Sequence, residues 1–187
     1  MLNNFVLETI ARRASIRAYS AQPLTQDELA ALKCTALAAP TAVNARSQRF
    51  LFVTNPKILD EIEQAVVKRI LASGDAAAIQ RTADRKNKVL YDAPLFVMIA
   101  VDPNNAYGKV DAGIAVQNLA LAAKSMGLDS VILGMPSLAF SGEGSDLLKQ
   151  KIGFPAGLEY AIGIAIGHRA MDKAPHDYDL SHIIDVK

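Results

Sequence analysis

The chain has 187 residues, a hydrophobic fraction of 51%, a charged fraction of 21% and a formal net charge of +1. This composition is typical of a globular protein with a packed core and argues against disorder. The nearly balanced charge provides no bulk attraction to nucleic acid or to an acidic membrane. We therefore expect a single domain over residues 1–187 with no nucleic-acid or membrane partner.

Cysteine usage and the first residues predict the compartment. Cys34 is the only cysteine, so an internal disulfide is excluded, and residues 1–5 lack the basic region and apolar run of a signal peptide. Apolar stretches are interrupted well before the ~20 residues that a membrane-spanning helix needs. These features predict a cytoplasmic protein, with Cys34 as a small core residue on the apolar side of its helix.

The first predicted element is a short helix from about Asn3 to Arg13, where apolar residues recur at helical spacing. Beyond Ala14 the pattern changes to a period of two, which is typical of an extended segment. Ser15, Arg17 and Tyr19 are then expected to point to one face of that segment, and the intervening residues to the other.

Start and stop signals define the next helix. Thr25 and Glu28 have the spacing of a capping box, which predicts a helix start. Pro40 disfavours helical backbone at Ala39, so the helix should end there. A polar loop follows, and residues 49–54 have the composition of a strand.

Two more helices are predicted after this strand. Asn55 and Pro56 provide an N-cap and a first-turn proline. The helix that they begin should break at residues 73–75. The charged segment from Ala76 to Tyr91 is predicted to be one exposed helix.

The second half of the chain contains the predicted centre of the sheet. Leu95–Val101 is a continuous apolar run, typical of a strand that is covered on both faces. The remaining predicted elements are a nearly uncharged helix at Val110–Met126 ended by Gly127, strands at Val131–Leu133 and Tyr160–Ile166, and a short helix at Ser145–Lys151. Because strands and helices do not alternate regularly, we predict an α+β fold with a sheet flanked by helices.

Three arginines near the start of the chain need a local explanation. Arg12 and Arg13, in the last turn of the first helix, complement its dipole by ~0.3 to 1 kcal/mol each without any ligand. That explanation does not extend to Arg17, which lies outside the helix on the same side as Ser15. Two guanidinium groups and a hydroxyl that converge on one face suit a phosphate, so an anion pocket is the sharper hypothesis.

Three segments, Arg13–Tyr19, Ala39–Asn44 and Asp111–Leu128, resemble the nitroreductase family of flavin-dependent oxidoreductases in their order and spacing. The resemblance implies an α+β fold with a mixed sheet flanked by helices and FMN bound at the interface of an intertwined homodimer. It also implies that NAD(P)H passes hydride to flavin N5 and leaves, after which a nitroaromatic, quinone or related acceptor takes its place. No side-chain acid or base is required, and we name no catalytic residue.

The same resemblance assigns cofactor contacts to the first arginine segment. Arg13 and Ser15, with Ala14 between them, correspond to the ligands of the FMN phosphate. Arg17 corresponds to a cation at the pyrimidine edge of the flavin ring. Reduction of the flavin places negative charge around N1 and O2, so a fixed guanidinium there stabilises the reduced state more than the oxidised state.

A loop after the second predicted helix is expected to contact the flavin of the other subunit. The contacting residues implied by the resemblance are Pro40, Thr41, Ala42 and Asn44. An ordinary turn is the alternative for this stretch. The family commonly continues with Asn, any residue, Gln, Pro and an aromatic, whereas this chain has Asn44-Ala-Arg46-Ser47-Gln48. Arg46 is therefore either an additional anion contact or a solvated surface residue.

Two further stretches complete the implied cofactor site. Leu133 and Gly134 lie where the family brings backbone amides close to the flavin, and a glycine permits that approach; a plain glycine at the end of a strand is the alternative. Near the carboxyl end, Arg169 or Lys173 corresponds to an additional cation for the phosphate. We favour Arg169, and solvated tail charges are the alternative.

Other chemistries have less support in the sequence. His168, His176 and His182 do not have the compact spacing of a metal site, and we expect no metal. The chief rival function is a flavin-binding protein of the same fold with a storage, sensing or flavin-remodelling role and no nicotinamide-driven turnover. A structural helical protein with a cationic patch is the third possibility. The physiological acceptor and the choice between NADH and NADPH are left open by the sequence.

Overall fold

The computed structural model describes residues 4–142 and 144–187. Asn3, where the first helix was expected to begin, lies outside them. The strands are β1 (Arg49–Val53), β2 (Leu95–Val101), β3 (Asp129–Leu133) and β4 (Glu159–Gly167). The helices are α1 (Phe5–Arg12), α2 (Gln26–Leu37), α3 (Pro56–Ala72), α4 (Ala76–Asp84), α5 (Gly108–Ser125) and α6 (Ser145–Lys151). Short 3₁₀ turns occupy Ala42–Asn44, Met135–Phe140 and Leu180–His182.

The strands form one sheet in the order β1-β2-β4-β3. Each neighbouring pair is antiparallel, and an isolated bridge between Ser15 and Ser130 adds a parallel contact along β3. The expected α+β fold with flanking helices is confirmed. Within residues 4–142 and 144–187, that isolated bridge is the one parallel contact of an otherwise antiparallel sheet. The outer edge of β3 is therefore paired at this bridge by an extended segment, and not along its length by another strand.

Strand β2 explains why the middle of the sheet is uniformly apolar. All seven of its residues are buried. Phe96 and Met98 pack with α3 side chains in one core cluster, whereas Val97 and Ile99 pack with α2 and α5 side chains in another. Because successive strand residues face opposite sides, a strand with helices on both sides needs apolar residues at every position.

Local signals set the helix starts as the sequence predicts. The Glu28 N–H donates to Thr25 Oγ1 at 3.2 Å, and the Thr25 N–H donates to Glu28 Oε2 at 2.7 Å, which completes the capping box. Asn55 caps α3 by accepting from the Lys57 N–H at 3.0 Å, with Pro56 in the first turn. Both predicted starts are confirmed.

The prediction of one exposed helix from Ala76 to Tyr91 is wrong. Helix α4 ends at Asp84, and residues 89–91 are buried. The cause is a tertiary contact, because Glu63 Oε1 on α3 accepts from the backbone N–H groups of Val89 at 2.6 Å and Leu90 at 2.8 Å. Two backbone donors that a helix would have used are satisfied by a side chain elsewhere in the fold.

Two predictions of side-chain direction are also wrong. Cys34 is exposed rather than in the core. Tyr19 does not share the exposed face of Arg17, because its ring is buried and its hydroxyl donates to the carbonyl oxygens of Ile16 and Ala165. Burial of the ring outweighs simple alternation along the segment.

Gly163 in β4 provides a test of the packing between the sheet and its neighbours. A Cβ there would lie 2.6 Å from Tyr160 Oη and 2.7 Å from Phe96 Cε2, both of them groups held in the core. We expect Gly163→Ala to lower the free energy of unfolding by about 1–3 kcal/mol, measured by chemical denaturation.

The matched control is Gly113→Ala in α5. Within one protomer, a Cβ at Gly113 meets nothing within 4 Å, and alanine favours helix over glycine by roughly 0.5–1 kcal/mol. This variant should be neutral or slightly more stable than the parent. A similar loss in both variants would contradict the steric explanation for Gly163.

Candidate functional site

The segment after α1 runs from the outer edge of β3 to the end of β4, and backbone contacts hold it at both of its ends. The Ile16 N–H donates to the Ser130 carbonyl at 3.0 Å, and the Ser20 N–H donates to the His168 carbonyl at 2.9 Å. An antiparallel bridge also joins Tyr19 to the residue after His168. The predicted extended conformation is confirmed, and its position is fixed by β3 and the end of β4.

Tyr19 anchors this segment from beneath. Its hydroxyl donates to the Ile16 carbonyl at 2.8 Å and to the Ala165 carbonyl at 3.2 Å. Burial raises the pKa of the Tyr19 phenol well above its ordinary value, so the hydroxyl stays a donor. Gly167 leaves room for the ring, since a Cβ there would lie 3.1 Å from Tyr19 Cδ1 and 2.6 Å from Pro94 Cδ. The exposed Arg17 side chain therefore projects from a rigid support.

The cations expected near the phosphate lie at the start of β3. Arg13 Nη1 donates to Ser15 Oγ at 3.4 Å. Arg169 Nε lies 3.8 Å from Asp129 Oδ2, and Lys124 Nζ lies 2.9 Å from Asp129 Oδ1. We call Arg13, Ser15 and Arg169 the basic notch. Asp172 Oδ1 lies 3.5 Å from Arg169 Nη1. The cations Arg13, Lys124 and Arg169 still outnumber the carboxylates of Asp129 and Asp172, so the donor set fits a phosphate ester.

The choice between the two tail cations is informed by these contacts. Arg169 is tied to the site by its bridge to Tyr19 and its proximity to Asp129. Lys173 lies further along a tail whose residues 169–187 are all exposed. Arg169 is thus the tail cation that lies beside the start of β3.

The other end of β3 presents an open backbone edge. Because residues that alternate along an antiparallel strand point their N–H and C=O groups to the same side, Ile132 shares the outward direction of Ser130. The Leu133 carbonyl is held by the buried Tyr160 hydroxyl at 2.6 Å. Gly134 follows in an exposed position with open space where a Cβ would be. A planar group could lie against this edge without meeting a side chain of Gly134.

The loop after α2 is held in an unusual conformation. The Ala42 N–H donates to Asp111 Oδ1 at 3.0 Å, and the Arg46 N–H donates to Thr41 Oγ1 at 3.0 Å. Val43, Asn44 and Arg46 have φ values of 47°, 55° and 47°. Left-handed backbone at residues other than glycine is costly and persists where surrounding contacts impose it. The conformation of the loop is therefore imposed by these contacts.

Arg46, where this chain departs from the family pattern, is engaged within its own loop. Its Nε donates to Asn44 Oδ1 at 2.8 Å, and the residue is exposed. The guanidinium thus supports the position of Asn44 in this structure. Pro40 is exposed at the base of the same loop.

The loop and the basic notch do not meet within one protomer. The loop bonds to Asp111 in the first turn of α5, whereas the notch adjoins Lys124 in the last turn of α5. At 1.5 Å of rise per residue, these two positions lie ~20 Å apart along the helix. The structure places Arg13, Ser15 and Arg169 near the start of β3, Arg17 on the segment between Ser130 and Arg169, and Leu133 and Gly134 at the other end of β3. Pro40, Thr41, Ala42 and Asn44 lie at the far end of α5.

Sequence reasoning missed two buried carboxylates. Asp111 and Asp129 are each 3% exposed, and both hold the parts of the site just described. Asp111 Oδ2 has no hydrogen-bond partner among residues 4–142 and 144–187. Their signal in the sequence is weak but present, since each is an isolated acid beside apolar residues of a buried helix or strand.

Comparison with known proteins identifies the family. The model of the "Nitroreductase family" matches residues 10–168. The chain belongs to the nitroreductase family. A relative from Archaeoglobus fulgidus named "Putative NADH dehydrogenase/NAD(P)H nitroreductase" is 26% identical over 92% of this chain and 90% of the relative. An "NADPH-flavin oxidoreductase" from Vibrio harveyi is 29% identical over 88% of this chain and 66% of the relative.

A solved structure shows the same nitroreductase fold. The crystal structure of a nitroreductase with bound FMN from Desulfitobacterium hafniense DCB-2 superposes with a TM-score of 0.95 and is 29% identical, covering 100% of both chains. In the part of our chain that the structure describes, no helix is long and apolar enough to cross a membrane.

Asp129 offers a test of how the nitroreductase chain supports its basic notch. Asp129→Asn should lower the free energy of unfolding by about 1.5–3 kcal/mol, because Lys124 and Arg169 would face a neutral amide in place of a buried carboxylate. The control is the exposed pair Lys109–Glu159, at 3.0 Å. There, Glu159→Gln should cost less than about 1 kcal/mol. Equal losses in chemical denaturation would contradict the anchoring role of Asp129.

Proposed function

We propose that this chain is an FMN-dependent oxidoreductase that takes electrons from NAD(P)H and passes them to a small-molecule acceptor such as a nitroaromatic or a quinone. The observation that carries the proposal is the outer side of β3, which has a basic notch at one end and an open backbone edge at the other. The FMN named in the Desulfitobacterium hafniense structure and the flavin oxidoreductase activity named for the Vibrio harveyi relative support it.

The basic notch would hold the FMN phosphate. Arg13 and Arg169 supply guanidinium donors, and Ser15 supplies a hydroxyl. The backbone is fixed by α1 at Arg13, by β3 at Ser15 and by the bridge to Tyr19 at Arg169. Ala14 is buried between Arg13 and Ser15 and keeps the two side chains in register. Charge-assisted donors of this type suit a phosphate dianion.

Arg17 and Gly134 would contact the flavin ring. When it is bound, FMN supplies the redox chemistry, which transfers hydride equivalents between NAD(P)H and the acceptor. Arg17 places a permanent positive charge two residues beyond the notch, where it lowers the energy of a reduced and negatively charged ring. The backbone at Leu133 and Gly134, at the end of the β3 edge, would lie against the ring.

The second half of the site would come from a partner protomer. Pro40, Thr41, Ala42 and Asn44 lie ~20 Å from the notch measured along α5, and a partner chain could bring its own copy of this loop to the flavin. Exposed apolar residues offer the surface for this: Phe5, Val6 and Ile10 on α1, Val110 and Ile114 on α5, and Leu180, Ile183, Ile184 and Val186 in the tail. Apolar exposure on this scale marks an interface, and the extended tail suits an intertwined homodimer.

A steady-state assay tests the function. We expect the purified protein to bind FMN saturably and, once loaded, to consume NADH or NADPH when a nitroaromatic or a quinone is added. Saturable FMN binding without any consumption of either nicotinamide would contradict the oxidoreductase and favour flavin storage, sensing or remodelling. A folded, dimeric protein that does not bind FMN at all would contradict both.

A further inference from the structure

We propose that a cavity beside Arg17 binds a phosphate group of the reduced nicotinamide dinucleotide. The cavity has a volume of about 350 Å³ and lies between the segment Arg17–Tyr19 and the turn Asp84–Asp92. We call it the Arg85 cavity. Its charged lining residues are Arg17, Asp84, Arg85, Lys86, Lys88 and Asp92. The inference rests on the proposed function, since it assigns a site to the electron donor of that reaction.

The charges of the Arg85 cavity do not cancel. Lys88 already forms ion pairs, because its Nζ lies 2.7 Å from Asp92 Oδ1 and 3.4 Å from Glu63 Oε2. The hydrogen bond to Asp92 raises the pKa of Lys88. The other charged lining residues are the cations Arg17, Arg85 and Lys86 and the single carboxylate of Asp84. The cavity therefore has an excess of positive charge that favours an anionic ligand.

The turn that presents Arg85 and Lys86 is held in a costly conformation. Lys86 and Asn87 have φ values of 54° and 59°. Their N–H groups donate to the carbonyls of Ala83 at 2.8 Å and Thr82 at 2.9 Å, which close the end of α4. A residue other than glycine in this region costs on the order of 1 kcal/mol or more. Such strain is often retained at ligand sites, where it directs side chains that a continuous helix would point elsewhere.

A buried carboxylate fixes the far side of the same turn. Glu63 accepts from the N–H groups of Val89 and Leu90, so the chain passes directly into the core after Lys88. Tyr91 is buried and its hydroxyl accepts from Arg85 Nη1 at 3.2 Å. One donor of the Arg85 guanidinium is used in this contact, and its other N–H groups have no partner among residues 4–142 and 144–187. The arginine is thus oriented before any ligand arrives.

The chemistry of the reaction partners selects the ligand. Nitroaromatics and quinones carry no phosphate, whereas NADH has a pyrophosphate and NADPH has an additional 2′-phosphate. The planar donor fork of arginine matches phosphate oxygens. Arg17 lines the Arg85 cavity and is also the cation proposed for the flavin ring. A dinucleotide whose nicotinamide lies on the flavin would therefore extend its phosphates toward Arg85 and Lys86.

The test compares FMN-loaded protein with the double variant Arg85→Gln/Lys86→Gln. We expect the parent to bind 2′,5′-ADP saturably in titration calorimetry and the variant to bind it at least about tenfold more weakly, as for the loss of one charge-assisted hydrogen bond. The FMN dissociation constant should stay within about twofold, and the thermal midpoint should fall by no more than about 5 °C, because one hydrogen bond to Tyr91 is lost. The charge-conserving variant Arg85→Lys/Lys86→Arg should recover most of the binding.

Two lysines outside the cavity provide the matched control. Lys57→Gln/Lys149→Gln removes the same amount of charge from α3 and α6 and should leave 2′,5′-ADP binding within about twofold of the parent, because distant surface charges are screened. If the control variant binds 2′,5′-ADP as weakly as Arg85→Gln/Lys86→Gln does, the effect comes from net charge alone, and the proposal is overturned.

The two nicotinamides identify which phosphate is bound. A rise in KM for NADPH alone assigns the 2′-phosphate to the cavity, and an equal rise for NADH and NADPH assigns the pyrophosphate. Unchanged KM values together with unchanged 2′,5′-ADP binding would overturn the proposal. If the parent protein oxidises neither nicotinamide, the proposed function fails by itself, and the calorimetric comparison still decides whether the cavity binds phosphate.

Discussion

Alanine in place of Arg17 should weaken FMN binding or slow flavin reduction by roughly 10- to 100-fold, the loss expected for a hydrogen bond or ion contact to a charged group. Arg12→Ala should change either quantity by less than about fivefold. Arg12 is exposed at the end of α1 and already bonds to Glu8 at 3.1 Å. Arg17 projects instead from backbone held by Tyr19 and β3.

Flavin titration and anaerobic stopped-flow reduction measure the two effects separately. Arg17→Lys retains the charge without the planar fork, so it should recover part of the reduction rate and less of the binding. An effect of Arg12→Ala as large as that of Arg17→Ala would remove the distinction between a helix-end cation and a flavin contact. Since Arg17 also lines the Arg85 cavity, the reduction rate should be measured at saturating nicotinamide.

The helix caps and the central strand could be predicted because their causes are local. The capping box of Thr25 and Glu28 uses groups three residues apart. The apolar run of β2 reports burial on both faces directly. The end of α4 could not be predicted in this way, since the contact that redirects the chain comes from Glu63, more than twenty residues earlier. A charged segment with helical composition gives no sign of such a partner.

In the candidate site, too, the features with local causes could be predicted and those with tertiary causes could not. The alternation after Ala14 was sufficient to expect an extended segment with Arg17 exposed. The burial of Tyr19 could not be expected from alternation, because it depends on the space left by Gly167 and on the Ala165 carbonyl of β4. Asp129 was overlooked for a similar reason, since its importance lies in cations that approach it from α5 and from the tail.

The length of α5 connects the fold to the expected assembly. Its first turn holds the loop through Asp111, and its last turn lies beside the basic notch through Lys124. A helix of 18 residues is ~27 Å long, so it keeps these two regions apart in any single protomer. A symmetric pair of chains would bring the loop of one protomer to the notch of the other and create two equivalent sites.

Mixing two inactive variants should restore activity if the site is shared in this way. Arg13→Ala/Ser15→Ala removes two notch contacts, and Thr41→Ala/Asn44→Ala removes the side chains that hold the loop around Arg46. Each homodimer should lose FMN-dependent turnover by on the order of 100-fold, because both of its sites lack one half.

In a mixed dimer, one site carries both sets of substitutions and the other carries neither. Random exchange of protomers should therefore restore about a quarter of the parent sites, and dimers purified through two different affinity tags should have about half. Flavin content and turnover measured on the purified mixed dimers check this expectation. If turnover equals only the average of the two inactive homodimers, each site lies within one chain and the division imposed by α5 has no functional role. Recovery at the expected level would show that the notch and the loop of different chains act on the same flavin.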